Sequence, residues 1–155
     1  MVDALANATT PDADAASFVT FFVAGQLFGV PVMRVQDILT PDAIAPVPGG
    51  PTEVRGLINL RGRIVTVIDM RTRLSMQKAE TARGMCVTVE SEGDAYTLFV
   101  DKVGDVVTLG RDLREANPAT LDGEWRDVAD AVFRTDHGLL VALDVDRLLT
   151  IRGRA

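Results

Sequence analysis

A chain of 155 residues, 47% hydrophobic and 25% charged, has the size and composition of one globular domain, or of two very small ones sharing a core. Its net charge of −6 weighs against nucleic acid as the principal partner, and its one cysteine, Cys86, excludes an internal disulfide. Its apolar runs are rich in valine, which favours strands.

Residues 1–16 contain Asp3, Asp12 and Asp14 and no basic run, which predicts a disordered acidic tail rather than a signal peptide. The uncharged stretch from Ala15 to Met33 is broken by Ser17, Thr20, Gln26, Pro31 and the Ala24-Gly25 pair. It reads as two strands around a turn, "SFVTFFVA" and "QLFGVPV", and not as a membrane span. "MRVQDIL" is predicted as a short helical turn, and "IAPVPGGP" as a loop. "RGLINL" and "RIVTVID" are strands separated by Gly62. "MRTRL" is one helical turn capped by Asp69. "GMCVTVE" and "AYTLFVD" form a second hairpin around Glu92, Gly93 and Asp94, with Cys86 as a small buried strand residue. "DVVTL" is a further strand, and residues 110–123 form a polar loop. "VADAVFR" and "LLVALD" make a third hairpin around His137-Gly138, and "VDRLL" is a last helical turn after Asp144. Short strands at regular spacing predict small barrels. Runs such as "IVTVI" and "LLVAL", which do not alternate, predict strands covered on both faces.

The two halves repeat one another. "RGRIVTVIDMRTRL" (61–74) aligns with "DHGLLVALDVDRLL" (136–149), "VTFFVAG" with "VTVESEG", and "VQDIL" with "VGDVV", in the same order. The repeat predicts two pseudo-equivalent barrels, a first subdomain over 17–80 and a second over 81–150, sharing a core.

No catalytic constellation stands out. His137 is the one histidine and sits in a turn without a neighbouring nucleophile. There is no phosphate-binding glycine loop and no Cys/His metal spacing, so the expectation is no enzyme activity, no cofactor and no metal. Asp69 and Asp144 read as helix caps rather than paired catalytic carboxylates. Charge placement says more. Arg55, Arg61, Arg63, Arg71 and Arg73 with Asp69 give residues 55–73 a net +4, leaving −10 for the rest of the chain. This is a candidate positive belt for an anionic partner. The plainer reading, of solvated turn arginines, stays open for Arg71 and Arg73.

"VQDI" (35–38), the Pro-rich 46–51, "GLINLRG" (56–62), "IVTVI" (64–68), "DMR" (69–71) and the closing 139–149 resemble the CheW family of chemotaxis coupling proteins over about 17–150. Asp37 stands where the family has glutamate, and "VADAVFRTDHG" diverges from the family's glycine-containing segment. The resemblance implies an all-β fold with short helices: two intertwined SH3-like five-stranded barrels sharing a hydrophobic core. It implies a non-enzymatic cytoplasmic adaptor, recruited to membrane-associated receptor arrays without inserting in the membrane. Such an adaptor ties the cytoplasmic tip of chemoreceptors to the regulatory domain of the histidine kinase CheA, in chemotaxis or in a non-flagellar pathway. It implies a receptor groove between the barrels, with Val35, Asp37, Ile38, Asn59, Leu60, Arg61 and Val87 in its walls. A kinase surface is expected at Ile44 and Val47, where the plainer reading is that they plug the barrel end. Arg61 is expected to pair with Asp37 at the groove edge, either at a longer distance or through a single prong rather than two, since aspartate is one methylene shorter than glutamate.

Overall fold

The computed structural model describes residues 15–41, 43–77, 83–115 and 123–150. Of the expected acidic tail only Ala15 and Ala16 fall among them, and Ala16 already opens the first strand. The strands are β1 (Ala16–Val23), β2 (Gln26–Pro31), β3 (Val35–Leu39), β4 (Val54–Leu60), β5 (Arg63–Asp69), β6 (Met85–Ser91), β7 (Asp94–Val100), β8 (Lys102–Leu109), β9 (Ala129–Thr135) and β10 (Gly138–Leu143). Short helices α1 (Met70–Arg73), α2 (Gly123–Val128) and α3 (Val145–Leu148) fill the joints. No helix among the described residues is long and apolar enough to cross a membrane.

Local chemistry explains the turns. Ala24-Gly25, Arg61-Gly62 and Glu92-Gly93 each place two consecutive residues at positive φ, between 50° and 86°. That is the primed two-residue hairpin turn, whose twist matches the flanking strands. Asp69 accepts hydrogen bonds from the Arg71 and Thr72 amides, and Asp144 from the Arg147 amide, so both aspartates cap helical turns as expected. Two expectations fail. "VQDIL" is a strand, preceded by a 3-10 turn at Val32–Arg34, because its amides pair with β6. The polar loop expected over 110–123 carries a second 3-10 turn, Arg111–Leu113, and α2 already opens at Gly123, while residues 116–122 lie outside those described. Helix α2 persists because Trp125 packs edge-on against Phe28 at 5.3 Å and donates to the Leu74 carbonyl.

Two five-stranded sheets result, in the orders β8-β1-β2-β10-β9 and β3-β6-β7-β5-β4. Adding five to each strand of the first half converts one order into the other, so the repeat read in the sequence is a structural duplication. The boundary expected at residue 80 does not separate the sheets, however. Each sheet takes three strands from one half and a two-strand hairpin from the other: β1-β2 joins β8, β9 and β10, while β6-β7 joins β3, β4 and β5. Isolated bridges carry each sheet round toward its far edge. Ala45, downstream of β3, exchanges two backbone hydrogen bonds with Leu57 of β4, and Arg114, downstream of β8, pairs with Phe133 of β9.

Three apolar clusters follow. Phe18, Leu27, Phe133 and Leu140 pack within the first sheet, and Ile58, Val65, Val67, Cys86 and Phe99 within the second. The largest cluster lies between the sheets and draws on both, with Phe21, Phe28, Ile68, Met70, Val87, Leu98, Val141 and Leu148. In β10 the residues Leu140 to Leu143 are all buried; Leu140 and Ala142 face the first cluster, Val141 and Leu143 the shared one. This is why its apolar run does not alternate.

Candidate functional site

The expected ion pair is present. Arg61 Nη2 lies 3.0 Å from Asp37 Oδ2, and the single prong matches the shorter carboxylate. Asp37 comes from β3 and Arg61 from the β4–β5 turn, elements at opposite edges of one sheet, which the Ala45–Leu57 bridge draws together. The other carboxylate oxygen of Asp37 accepts from the Ile38 amide at 2.9 Å, so its side chain is held from two sides. Arg61 is itself in the left-handed region at φ 54°, a conformation costing roughly 1–2 kcal/mol for a residue with a Cβ. Its side chain is 78% exposed against 20% for Asp37. The pair therefore contributes at most about 1 kcal/mol to stability, and its geometry serves orientation instead.

Gln36, Asp37, Leu60, Arg61, Arg63, Val65 and Ala95 line a concavity beside this pair. All of them come from the second sheet or its turn, so the hollow opens on one barrel and not between the two. Gln36, Val65 and Ala95 were not anticipated, and Arg63 was read only as part of the arginine belt; Gln36 lies between two expected residues in sequence, and its exposure and that of Arg63 beside the hollow are the signal that finds them. Asn59 is exposed, but its side-chain oxygen accepts from the Gly62 amide at 2.8 Å and so holds the turn that carries Arg61. Leu60 packs partly against the barrel interior.

The remaining expected residues divide. Ile38 is 40% exposed, but it follows Asp37 on a strand and so points to the opposite face. Val35 packs partly against the shared core. Val87 is fully buried in that core, opposite Ile38 in register, and cannot line a docking groove. The pleat explains this: Cys86 and Thr88 face the second barrel, and Val87 and Val89 face the shared cluster. Ile44 packs against the second barrel's core, as the plug reading expects, whereas Val47 is 39% exposed on the Pro-rich loop.

The arginine belt does not survive folding. Arg55 lies over the Phe99 ring, 4.0 Å from its centroid, and reaches Asp69 at 2.9 Å. Arg71 grips Asp101 with two nitrogens, at 2.6 and 3.1 Å. Arg73 donates to the Leu148, Arg147 and Thr150 carbonyls at the end of α3. Only Arg61 and Arg63 of the five are largely exposed, and both border the concavity. Elsewhere, burial pushes the Cys86 thiol up to about 11, which keeps it a neutral core residue. His137 is an exposed turn residue whose amide donates to Thr135. Among the described residues no group of three or more His, Cys, Asp or Glu side chains is placed to hold a metal ion.

The CheW-like domain family model matches residues 17–152. The chain belongs to the CheW-like family. It is 31% identical over 130 residues to the chemotaxis protein CheW of Rhizobium meliloti (strain 1021), covering 83% of both chains. It is 24% identical over 137 residues to that of Treponema pallidum (strain Nichols), covering 85% of this chain and 81% of the other. The scaffolding protein TtCheW from Thermoanaerobacter tengcongensis superposes with a TM-score of 0.78 at 26% identity, covering 90% of this chain and 95% of that one. Members of the CheW-like family are chemotaxis scaffold and adaptor proteins and not enzymes, and the double-sheet architecture described above is theirs.

Proposed function

We propose that this protein is a cytoplasmic adaptor that couples the cytoplasmic tips of chemoreceptors to the regulatory domain of the histidine kinase CheA. The receptor docks at the hollow beside Arg61 and Asp37. The observation that supports this placement is the pair itself: an exposed arginine at the tip of the β4–β5 turn, aimed by an aspartate that the Ile38 amide holds in place. Arg61 and Arg63 supply donors to a receptor helix, Leu60 supplies apolar floor, and Ile38 extends the contact over the strand edge. Val35 acts by fixing β3 against the shared core, and Asn59, itself exposed, by fixing the turn that carries Arg61.

Arg61→Ala is expected to weaken binding of a receptor cytoplasmic fragment about tenfold while shifting the melting temperature by only a few degrees. Asp37→Glu keeps or improves affinity, and the double substitution shows coupling rather than additivity. Isothermal titration on the four proteins measures the cycle. Additive effects, or wild-type affinity for Arg61→Ala, would remove the pair from the interface.

The kinase contact is placed at the Pro-rich loop through Val47, with Ile44 supporting it from the barrel core. Val47→Glu is expected to weaken binding of the CheA regulatory domain and to leave receptor binding intact. Loss of both activities, or of neither, counts against that assignment. A pull-down with receptor cytoplasmic fragments of motility and of non-flagellar pathways tells which of the two outputs the protein serves.

A further inference from the structure

Each exchanged hairpin leaves one sheet for the other through a short crossover, and both crossovers are clamped by an ion pair. In the second sheet β5 runs parallel beside β7, with Asp69 opposite Phe99, and Arg71 of α1 grips Asp101 just beyond β7. In the first sheet β10 runs parallel beside β2, with Ala142 opposite Gly29, and Asp146 of α3 reaches Arg34 just beyond β2 at 2.7 Å. Each carboxylate is also held by a hairpin end: Asp101 accepts from the Ala24 amide at 2.7 Å, and Asp146 from the Ser91 hydroxyl at 2.6 Å. Arg34 further donates to the Glu90 carbonyl at 2.8 Å, and Arg71 to the Gln77 carbonyl at 2.7 Å. The repeat alignment puts Arg71 and Asp146 at the same position of the two halves, and Arg34 within one residue of the position matching Asp101. The clamps are therefore equivalent in place and opposite in polarity.

We propose that this reversed polarity is a pairing code that selects the exchanged arrangement of hairpins over the unexchanged one. The backbone ladder does not discriminate, because both arrangements make the same kinds of strand neighbours. The clamps do discriminate. With β2 beside β5 in its own half, Arg71 would arrive next to Arg34. With β7 beside β10, Asp146 would arrive next to Asp101. Two attractive contacts would become two repulsive ones, at sites where the four side chains are 20–58% exposed and so only partly screened. Duplicated halves with matching strands are prone to wrong pairing, and charge is one feature that tells these hairpins apart.

The test is urea unfolding of the full chain in three variants. The neutral pair Arg71→Gln/Asp146→Asn removes both attractions. The reversed pair Arg71→Asp/Asp146→Arg should lower the folding equilibrium by about a further fivefold or more, because it sets like charges against one another. Adding Arg34→Asp and Asp101→Arg to the reversed pair should recover at least half of the lost midpoint. Amide contacts between Val67 and Thr97 and between Val141 and Phe28, read by NMR, should be restored in the quadruple variant. If the reversed pair does not fold at all, rescue of folding by the quadruple variant decides the matter. Equal midpoints for the neutral and reversed pairs, or a quadruple variant no more stable than the reversed pair, would overturn the proposal.

Discussion

Single residues here divide into those that aim something and those that hold something. Arg61 aims: 78% of its side chain is exposed, and its left-handed backbone lifts it clear of the strands. Asp101 and Asp146 hold. For Asp101 burial works upward, but the Arg71 guanidinium and the Ala24 amide outweigh it and bring its pKa below the usual carboxylate range. For Asp146 the hydrogen bonds from Arg34 and then Ser91 lower it. Both groups thus bind protons less readily folded than unfolded. Their contribution is complete above the unfolded value of about 3.9 and is lost as pH falls through the lower folded values. The melting temperature is expected to hold between pH 7 and 5 and to fall steeply below about pH 4. Asp101→Asn should flatten that fall, and an unchanged acid profile would show that Asp101 does not carry it.

At the scale of elements, barrel closure depends on a close backbone approach. Gly56 sits at φ 154° where β4 meets the Ala45 segment, and a Cβ there would collide with the Ala45 carbonyl oxygen and crowd the Ile44 side chain. Gly56→Ala is expected to cost about 1–3 kcal/mol in urea unfolding. It should also loosen the Arg61–Asp37 pair, because the same bridge draws β3 and β4 together. Loss of stability without loss of receptor affinity would separate barrel closure from the site. The α1 and α3 turns behave differently: each is set by the aspartate that precedes it, which is local chemistry visible in "IDMRTRL" and "LDVDRLL".

The whole molecule is one folding unit because the largest apolar cluster belongs to neither sheet alone. Val87 measures this. Placed in a docking groove, Val87→Asp would have affected binding; placed in the shared core, it buries an unpaired carboxylate. It is expected to cost at least about 3 kcal/mol and to unfold both sheets together in a single transition. Circular dichroism with tryptophan fluorescence from Trp125 checks this, since the indole packs edge-on against Phe28 of the first sheet and donates to the Leu74 carbonyl beside the second. A variant that stays folded would return Val87 to the candidate groove.

Much of this protein is written locally and needs no tertiary contact to be read. The three hairpin turns, the two capping aspartates, the buried strand cysteine and the duplication all follow from residue type and spacing. So does the single-pronged Arg61–Asp37 pair, once the family resemblance places the two residues near one another. Four features were decided only by the folded chain. "VQDIL" has no strong strand signal until β6 supplies its partner. Arg55, Arg71 and Arg73 look like a belt in one dimension and become internal clamps because Asp69, Asp101 and the carbonyls ending α3 lie far off in sequence or on other elements. Val87 looks like any other strand valine, and only the face its pleat turns toward the second sheet's neighbour makes it core. The exchange of hairpins is the largest of these decisions. The repeat reveals that there are two alike halves, but which hairpin pairs with which half is settled by contacts between residues some thirty to more than a hundred positions apart.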